Sequence, residues 1–160
     1  MFGGYSFERI APCGSPSSGF FPCGSDQQVP GTSNFNGWNV SLTGYFSKFL
    51  GATADFSGHY GPYGNPSFNQ DASRYSYMFG PTFAWRTRRV TPFMHVLLGR
   101  TNEAFASYDV FSWAIGGGLD VSVRKRMAVR FAELDYESVH VPSNAAAKGL
   151  RYSGGVVFRF

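Results

Sequence analysis

The sequence predicts an all-β chain, an eight-stranded antiparallel up-and-down transmembrane β-barrel that forms a single domain over residues 1–160. Three observations predict it. Apolar and polar residues alternate in short runs along the chain, without a helical period. The connections between these runs alternate between long and short, as in barrels that cross a membrane. Charged residues make up only 15% of the chain, too few to cover a water-facing surface.

The eight strands are placed where alternating runs rich in aromatic and β-branched residues occur. They are 1–10, 37–46, 49–60, 74–86, 91–101, 111–123, 127–138 and 149–160. The long connections are 11–36, 61–73, 102–110 and 139–148, and the short ones are 47–48, 87–90 and 124–126. An even number of strands puts both termini at the rim of the short turns.

The two faces of each strand differ in the size of their side chains. In the last strand Leu150, Tyr152 and Phe158 alternate with Arg151 and Ser153. A soluble barrel also alternates, with its apolar face inward, and a β-sandwich core would also bury the aromatic residues. However, the polar positions are mostly Gly, Ser, Thr, Ala and Asn, whereas a water-facing sheet would carry many Lys and Glu. We therefore expect the large apolar side chains to face lipid and the small polar ones to fill a narrow interior.

Charged residues in the phase of the small polar positions are expected to pair inside the barrel. Eight strands leave an interior only just wide enough for side chains. Two interpretations of such a network remain. It acts as a gate, or it only packs the interior and neutralises the buried charges. The second interpretation is favoured. The expected members are Glu8, Asp55, Arg86, Asp120, Arg130, Glu133 and Arg151.

Two strands deviate from simple alternation. In the seventh, Arg130 and the acidic residues Glu133 and Asp135 fall in opposite phases. A β-bulge between Phe131 and Leu134 would turn the carboxylates inward. In the fourth, Pro81 cannot donate to a strand ladder, so we expect a bulge or a local break there.

Aromatic residues concentrate near the strand ends, where girdles meet the two membrane interfaces. The expected girdle comprises Trp38, Tyr60, Tyr75, Trp85 and Trp113.

The two cysteines, Cys13 and Cys23, bracket a segment rich in Gly, Ser and Pro. A disulfide between them would constrain the unfolded chain by roughly 3 kcal/mol and would imply an oxidising compartment. The alternative is two free thiols. Their spacing excludes a CxxC redox or zinc motif.

Several segments resemble the small outer-membrane β-barrels of Gram-negative bacteria, the group of the OmpA transmembrane domain and OmpX. They include FGGYSFER at 2–9, FGPTFAWR in the fourth strand and the terminal GLRYSGGVVFRF. The resemblance implies an outer-membrane location with periplasmic termini, and outer-membrane lipids and the barrel-assembly machinery as partners. The matching positions of the C-terminal assembly signal are Tyr152, Val156, Phe158 and Phe160.

The expected function is non-enzymatic: envelope integrity, with surface loops for display or adhesion. An extracellular ligand is expected at 11–36 and 61–73, because loops on rigid scaffolds carry recognition. The alternatives are a narrow porin-like channel and a surface lipid hydrolase, for which His140 and Ser143 are the nearest pair. No catalytic, cofactor or metal motif is recognised. Nucleic acid is not expected as a partner, because the 14 Lys and Arg form no long basic stripe.

Overall fold

The structure is a computed structural model that describes residues 1–11, 33–62, 71–103, 109–140 and 146–160. Eight strands form one closed antiparallel barrel in chain order, and the first strand pairs with the last. The predicted fold class is therefore confirmed. The strands are β1 (Phe2–Ala11), β2 (Ser33–Tyr45), β3 (Leu50–Pro62), β4 (Asp71–Ala84), β5 (Val90–Glu103), β6 (Asp109–Arg124), β7 (Met127–His140) and β8 (Ala146–Phe158).

The described residues contain no helix that could cross a bilayer.

Most strands are longer than predicted, chiefly at the rim of the long connections. The strand β2, for example, begins at Ser33 rather than at 37, and its Asn34 and Asn36 pair with β1. Backbone pairing continues through such polar residues, where side-chain alternation no longer marks a strand. The connections at this rim shorten to 12–32, 63–70, 104–108 and 141–145, against 46–49, 85–89 and 125–126 at the other. The alternation in length is thus weaker than the sequence predicted.

The outer wall of the barrel carries the large apolar side chains. Leu42 and Leu134 are 59% and 58% exposed. Ile115 and Phe158 also point outward, while Ser6, Asn39 and many other small polar residues are buried inside. This arrangement is the predicted orientation of the two faces, and it leaves a wide apolar surface that only a nonpolar solvent such as lipid can cover favourably.

A β-bulge in β7 corrects the phase of its charged residues. Asp120 pairs with Arg130 and Leu119 with Ala132, so Phe131 has no partner on β6. The register with β8 shifts at the same place, between Arg130 and Glu133. The predicted bulge is confirmed. It puts Arg130 and the carboxylates that follow it on the interior face.

The proline in β4 interrupts one ladder only. Pairing with β5 passes from Phe79–Leu98 to Thr82–His95 and omits the two residues between, although the register does not change. On its other side Pro81 lies opposite Ala52 of β3. The expected local break is confirmed, without a bulge, because a missing N–H removes a hydrogen bond but adds no residue.

Candidate functional site in the barrel interior

The interior of the barrel is filled mostly by polar side chains that bond across neighbouring strands. Contrary to the expectation of small polar residues alone, Phe2, Met78 and Leu97 are also buried. Hydroxyl groups form one such chain, in which Ser76 lies 3.0 Å from Thr101 and Thr101 donates to Ser112 at 3.0 Å. These residues alternate inward because the pleat directs every second side chain to the same face. Three buried arginines, Arg74, Arg130 and Arg151, each contact a group of charged residues in this interior.

Arg151 lies at the centre of the interior and is fully buried. Its Nη1 donates to Asp55 Oδ1 at 2.9 Å and to Ser57 Oγ at 3.2 Å. Its Nε and Nη2 donate to Asp135 Oδ2 at 3.0 and 2.7 Å. The guanidinium therefore joins β3 to β7 across the lumen and fills the cross-section between them.

Arg130 occupies the interior nearer the short-turn rim. Its Nε donates to Asp120 Oδ1 and its Nη1 to Glu133 Oε2, both at 2.7 Å. The guanidinium carbon also lies 4.4 Å from the ring centroid of Phe2 and 4.1 Å from that of Phe93. Charge pairing and contact with two aromatic faces together stabilise this buried cation.

Arg74 holds a third group nearer the opposite rim. Its Nη1 donates to Glu8 Oε1 at 2.9 Å and its Nη2 to Glu137 Oε1 at 3.4 Å. His59 completes this group, since its Nδ1 lies 3.5 Å from Glu8 Oε2 and its Nε2 lies 2.9 Å from Ser6 Oγ.

A histidine connects the Arg130 and Arg151 groups. His95 Nε2 lies 2.9 Å from Asp135 Oδ1 and 3.8 Å from Glu133 Oε1. Each of these two carboxylates therefore contacts one arginine through one oxygen and faces His95 through the other. The described charges form a nearly continuous series from Asp120 at one end to Asp55 at the other.

The structure places six of the seven expected charged residues in the interior. Arg86 differs. It follows the end of β4 at Ala84 and is exposed, and its guanidinium carbon lies 3.8 Å from the ring centroid of Tyr45. The expectation extended the alternation of β4 two residues too far, and beyond a strand end the phase no longer determines the direction of a side chain.

Sequence reasoning did not name three further members of the interior charge groups, His59, Arg74 and His95. The signal was available, because each lies in phase with buried small residues of its own strand. Asp135 and Glu137 also belong to these groups, and they face inward as expected from the predicted bulge.

The expected girdle residues lie on the outer wall, close to other aromatic residues. Tyr60 and Tyr75 meet edge to face with their hydroxyl oxygens 3.0 Å apart, near the rim of the long connections. Trp85 packs on Phe49 at 5.6 Å between ring centroids, at the opposite rim. Trp113 packs on Tyr136 in the same way at 5.7 Å, and Trp38 is exposed on the outer wall.

Two of the four positions of the expected C-terminal assembly signal, Tyr152 and Phe158, are exposed on the outer wall, and Val156 is partly exposed. Phe160 is exposed beyond the end of β8, at the short-turn rim. The Tyr152 hydroxyl donates to the Phe131 carbonyl oxygen at 2.6 Å, which ties β8 to the bulge in β7.

A cavity of about 440 Å³ opens at the short-turn rim. Arg86, Asp120 and Arg130 line it, together with Tyr45 and Phe160. It ends at the Arg130 group, and Arg151 and its partners fill the interior beyond.

Two histidines that could take part in catalysis are buried inside the barrel, His59 and His95. The expected disulfide of Cys13 and Cys23, and the side chains of His140 and Ser143, lie outside the described residues.

Solved structures of three outer-membrane proteins are among those that share the fold. Ail, the attachment invasion locus protein of Yersinia pestis, solved in complex with the heparin analogue sucrose octasulfate, is 17% identical with a TM-score of 0.60, and the match covers 99% of this chain and 95% of that one. Neisserial surface protein A is 16% identical with a TM-score of 0.64, over 99% and 97%. The outer membrane protein OprG from Pseudomonas aeruginosa is 14% identical with a TM-score of 0.60, over 99% and 94%.

The architecture is thus that of the small eight-stranded outer-membrane β-barrels. No family model and no curated protein matches the sequence. At these identities the likeness concerns the fold, and the role of this chain has to be argued from its own residues.

Proposed function

We propose that this chain is a non-enzymatic integral outer-membrane barrel, a closed scaffold that stabilises the envelope and presents its long connections at the cell surface. The observation that carries the proposal is the filled interior. Arg151 is fully buried and bonds to Asp55 and Asp135 on opposite sides of the lumen. A barrel whose interior is occupied in this way is better suited to support surface loops than to conduct solutes.

The outer surface supports insertion in a bilayer. Apolar side chains cover the wall, aromatic pairs lie towards both rims, and six exposed cations line the short-turn rim, where anionic headgroups would attract them. With the short-turn rim on the periplasmic side, the two termini, which lie at that rim, face the periplasm. The outward apolar residues of β8 are the surface that the barrel-assembly machinery would recognise. The basic residues are Lys48, Arg88, Arg89, Arg124, Lys125 and Arg126.

The long connections have a composition suited to neutral ligands. The segments 12–32, 63–70, 104–108 and 141–145 contain no Lys or Arg and one acidic residue, Asp26. They are rich in Ser, Gly, Pro and Asn with interspersed Phe and Tyr, which suits stacking and hydrogen bonding with a sugar or protein surface. Ail was solved with a sulfated ligand, but these segments lack the cations that would hold one.

The first experiment tests the location and the orientation together. An epitope is inserted in 12–32 in one variant and between Lys125 and Arg126 in a second, and antibody binding is measured on intact and on permeabilised cells. The first epitope should be detected on intact cells, and the second only after permeabilisation. The reverse pattern, or no surface signal from either folded variant, would contradict the proposed topology.

The second experiment tests the closed interior. Purified barrel, recognised by faster migration on a denaturing gel before boiling than after, is added to a planar bilayer at neutral pH. No stepwise conductance is expected, because Arg130 and Arg151 with their carboxylates fill the lumen. Regular conductance steps would favour the narrow channel instead.

The third experiment tests adhesion. Cells that express the barrel are compared with cells in which 12–32 is replaced by a short Gly-Ser turn, and attachment to immobilised host-surface glycoproteins and to heparin is measured. The replacement should reduce attachment to the glycoproteins, while neither cell should bind heparin through these loops. Equal attachment by both cells would argue against display as the role of this segment.

The non-enzymatic reading is tested by mass spectrometry of lipid A incubated with the folded barrel. No change in mass is expected from His59 and His95, which are enclosed in the interior, and the assay also tests the pair His140 and Ser143. A loss of one acyl chain would favour the hydrolase instead.

A further inference from the structure

Acidic groups outnumber basic ones in the interior. The buried charged residues that the structure describes are six carboxylates and three guanidiniums, together with two histidines. Buried charges are stable only when they are paired or bound to a metal. Three arginines balance only three of the six carboxylates. Arg86 and Arg159, which line the same cavity as Asp120, add positive charge at the short-turn rim, and deeper in the interior the balance has to come from protons or a bound cation.

Three potential ligand atoms converge between the Arg130 and Arg151 groups. His95 Nε2, Glu133 Oε1 and Asp135 Oδ1 all lie within 4.8 Å of one another. The nitrogen is 2.9 Å from the Asp135 oxygen and 3.8 Å from the Glu133 oxygen. Tetrahedral zinc with bonds of about 2.0–2.1 Å places its ligand atoms about 3.3 Å apart, a value between these two distances. The third separation, between the Glu133 and Asp135 oxygens, is at most 4.8 Å, so the two carboxylates would move closer together to admit the ion.

The glycines of β6 create the space for this convergence. His95 lies on β5 and the two carboxylates on β7, so β6 runs between them. Its Gly116 lies opposite both His95 and Asp135, and a Cβ there would clash with Asp135 Oδ1 and the Leu134 carbonyl oxygen. Without these glycines the imidazole and the carboxylates could not meet across the intervening strand.

The remaining oxygens of both carboxylates are held in place. Arg151 donates twice to Asp135 Oδ2, and Arg130 Nη1 donates to Glu133 Oε2 at 2.7 Å. Metal ligands are usually oriented by such outer hydrogen bonds. Each carboxylate thus directs its other oxygen towards His95.

An ion could approach from the cavity at the short-turn rim. Arg130 and Asp120 line that cavity, and Arg130 directly contacts Glu133. Movement of the Arg130 side chain would therefore open the way to the three ligand atoms.

We propose that His95, Glu133 and Asp135 bind one divalent transition-metal ion inside the barrel, best matched by Zn²⁺, with a fourth position left for water. One imidazole and two carboxylates suit zinc or cobalt better than calcium or magnesium, which take oxygen ligands alone. The site goes beyond the scaffold role, because it would add a metal-dependent cross-link between β5 and β7. It does not depend on the ligand of the loops.

The test uses tag-free barrel in detergent, treated with a chelator and then given Co²⁺ or Zn²⁺, both after folding and during refolding. Calorimetry with Zn²⁺ should give one ion per barrel, and Co²⁺ should give the visible absorption of a four- or five-coordinate site. His95→Gln and Glu133→Gln should each weaken binding at least about 100-fold, since even outer-shell changes cost 10–100-fold. His59→Gln is the matched control, because it removes the other buried histidine, and it should leave the affinity unchanged.

The gel-mobility assay first shows which variants fold. If His95→Gln does not fold, the wild-type barrel still decides the matter, because Co²⁺ should perturb the imidazole NMR signals of His95 and leave those of His59 much less affected. The proposal is overturned by the absence of saturable binding under both loading conditions. It is also overturned by binding that survives His95→Gln and Glu133→Gln, which would place the ion elsewhere in the chain.

Discussion

Arg151 Nη1 donates to Asp55 Oδ1 at 2.9 Å, although 96 positions separate the two residues in the chain. The contact exists because β8 closes on β1 and the barrel then brings β3 within reach across the lumen. It connects β8 to β3, two strands that share no backbone hydrogen bonds, and it therefore stabilises the closed barrel from the interior.

Replacement of this arginine should destabilise the barrel strongly. Arg151→Ala would leave Asp55 and Asp135 buried without their cation, and loss of one partner of a buried pair costs about 3–5 kcal/mol. The measurement is the urea midpoint of unfolding in lipid vesicles, followed by tryptophan fluorescence. Lys125→Ala, in the exposed turn between β6 and β7, is the control and should change stability by less than about 0.5 kcal/mol. An unchanged midpoint for Arg151→Ala would contradict the role assigned to the interior charges.

Substitution of glycine by alanine should lower the stability of the barrel at one position of β2 and leave it almost unchanged at another. A Cβ on Gly37 would clash with the Gly58 carbonyl oxygen and lie 2.9 Å from His59 Cα, whereas a Cβ on Gly44 has nothing within 4 Å. Backbone atoms cannot move aside cheaply, so Gly37→Ala should cost about 1–3 kcal/mol. Gly44→Ala should stay within about 0.5 kcal/mol of the wild type. Equal midpoints in the same urea titration would show that the strand spacing at Gly37 is not as tight as described.

The outward face should tolerate charge only near a rim. Val96 lies in the middle of β5, opposite Ile115, while Val123 is exposed near the end of β6. In a bilayer an arginine costs about 2–4 kcal/mol at the midplane and about 0–1 near the interface. Val96→Arg should therefore lower stability in vesicles much more than Val123→Arg. If both variants unfold at the wild-type midpoint, the wall does not face hydrocarbon.

The sequence predicted the strand number, the two faces and most of the interior charges, because a period of two is a local property that each strand displays by itself. Glu8 and Arg151, for example, could be placed inside from phase alone. Their partners could not be assigned, since the contact of Arg151 with Asp55 depends on closure of the whole cylinder. Arg86 lies at the mouth of the lumen rather than within it, because its strand ends at Ala84.

The site of His95 was missed for a different reason. Its position opposite Gly116, and the position of Asp135 opposite the same glycine, depend on the register of two ladders. Strand register is set by pairing partners and turns rather than by the composition of one strand.

The bulge at Phe131 provides the sharpest test of the orientation. Phe131 has no partner on β6 and points outward. Its deletion would remove the extra residue and reverse the direction of every later side chain in β7 relative to Arg130. Glu133, Asp135 and Glu137 would then face lipid while Leu134 turned inward, so the deletion variant should not form a closed barrel.

Folding of this variant is measured by the difference in gel mobility between unheated and boiled samples after refolding into vesicles. Phe131→Leu keeps the residue count and an outward apolar side chain, so it should refold with the wild-type mobility difference. The deletion should abolish that difference, because a one-residue slip cannot be absorbed by β8, whose register with β7 shifts at the same bulge. A deletion variant that refolds as efficiently as Phe131→Leu would show that the carboxylates of β7 do not require this bulge to face inward.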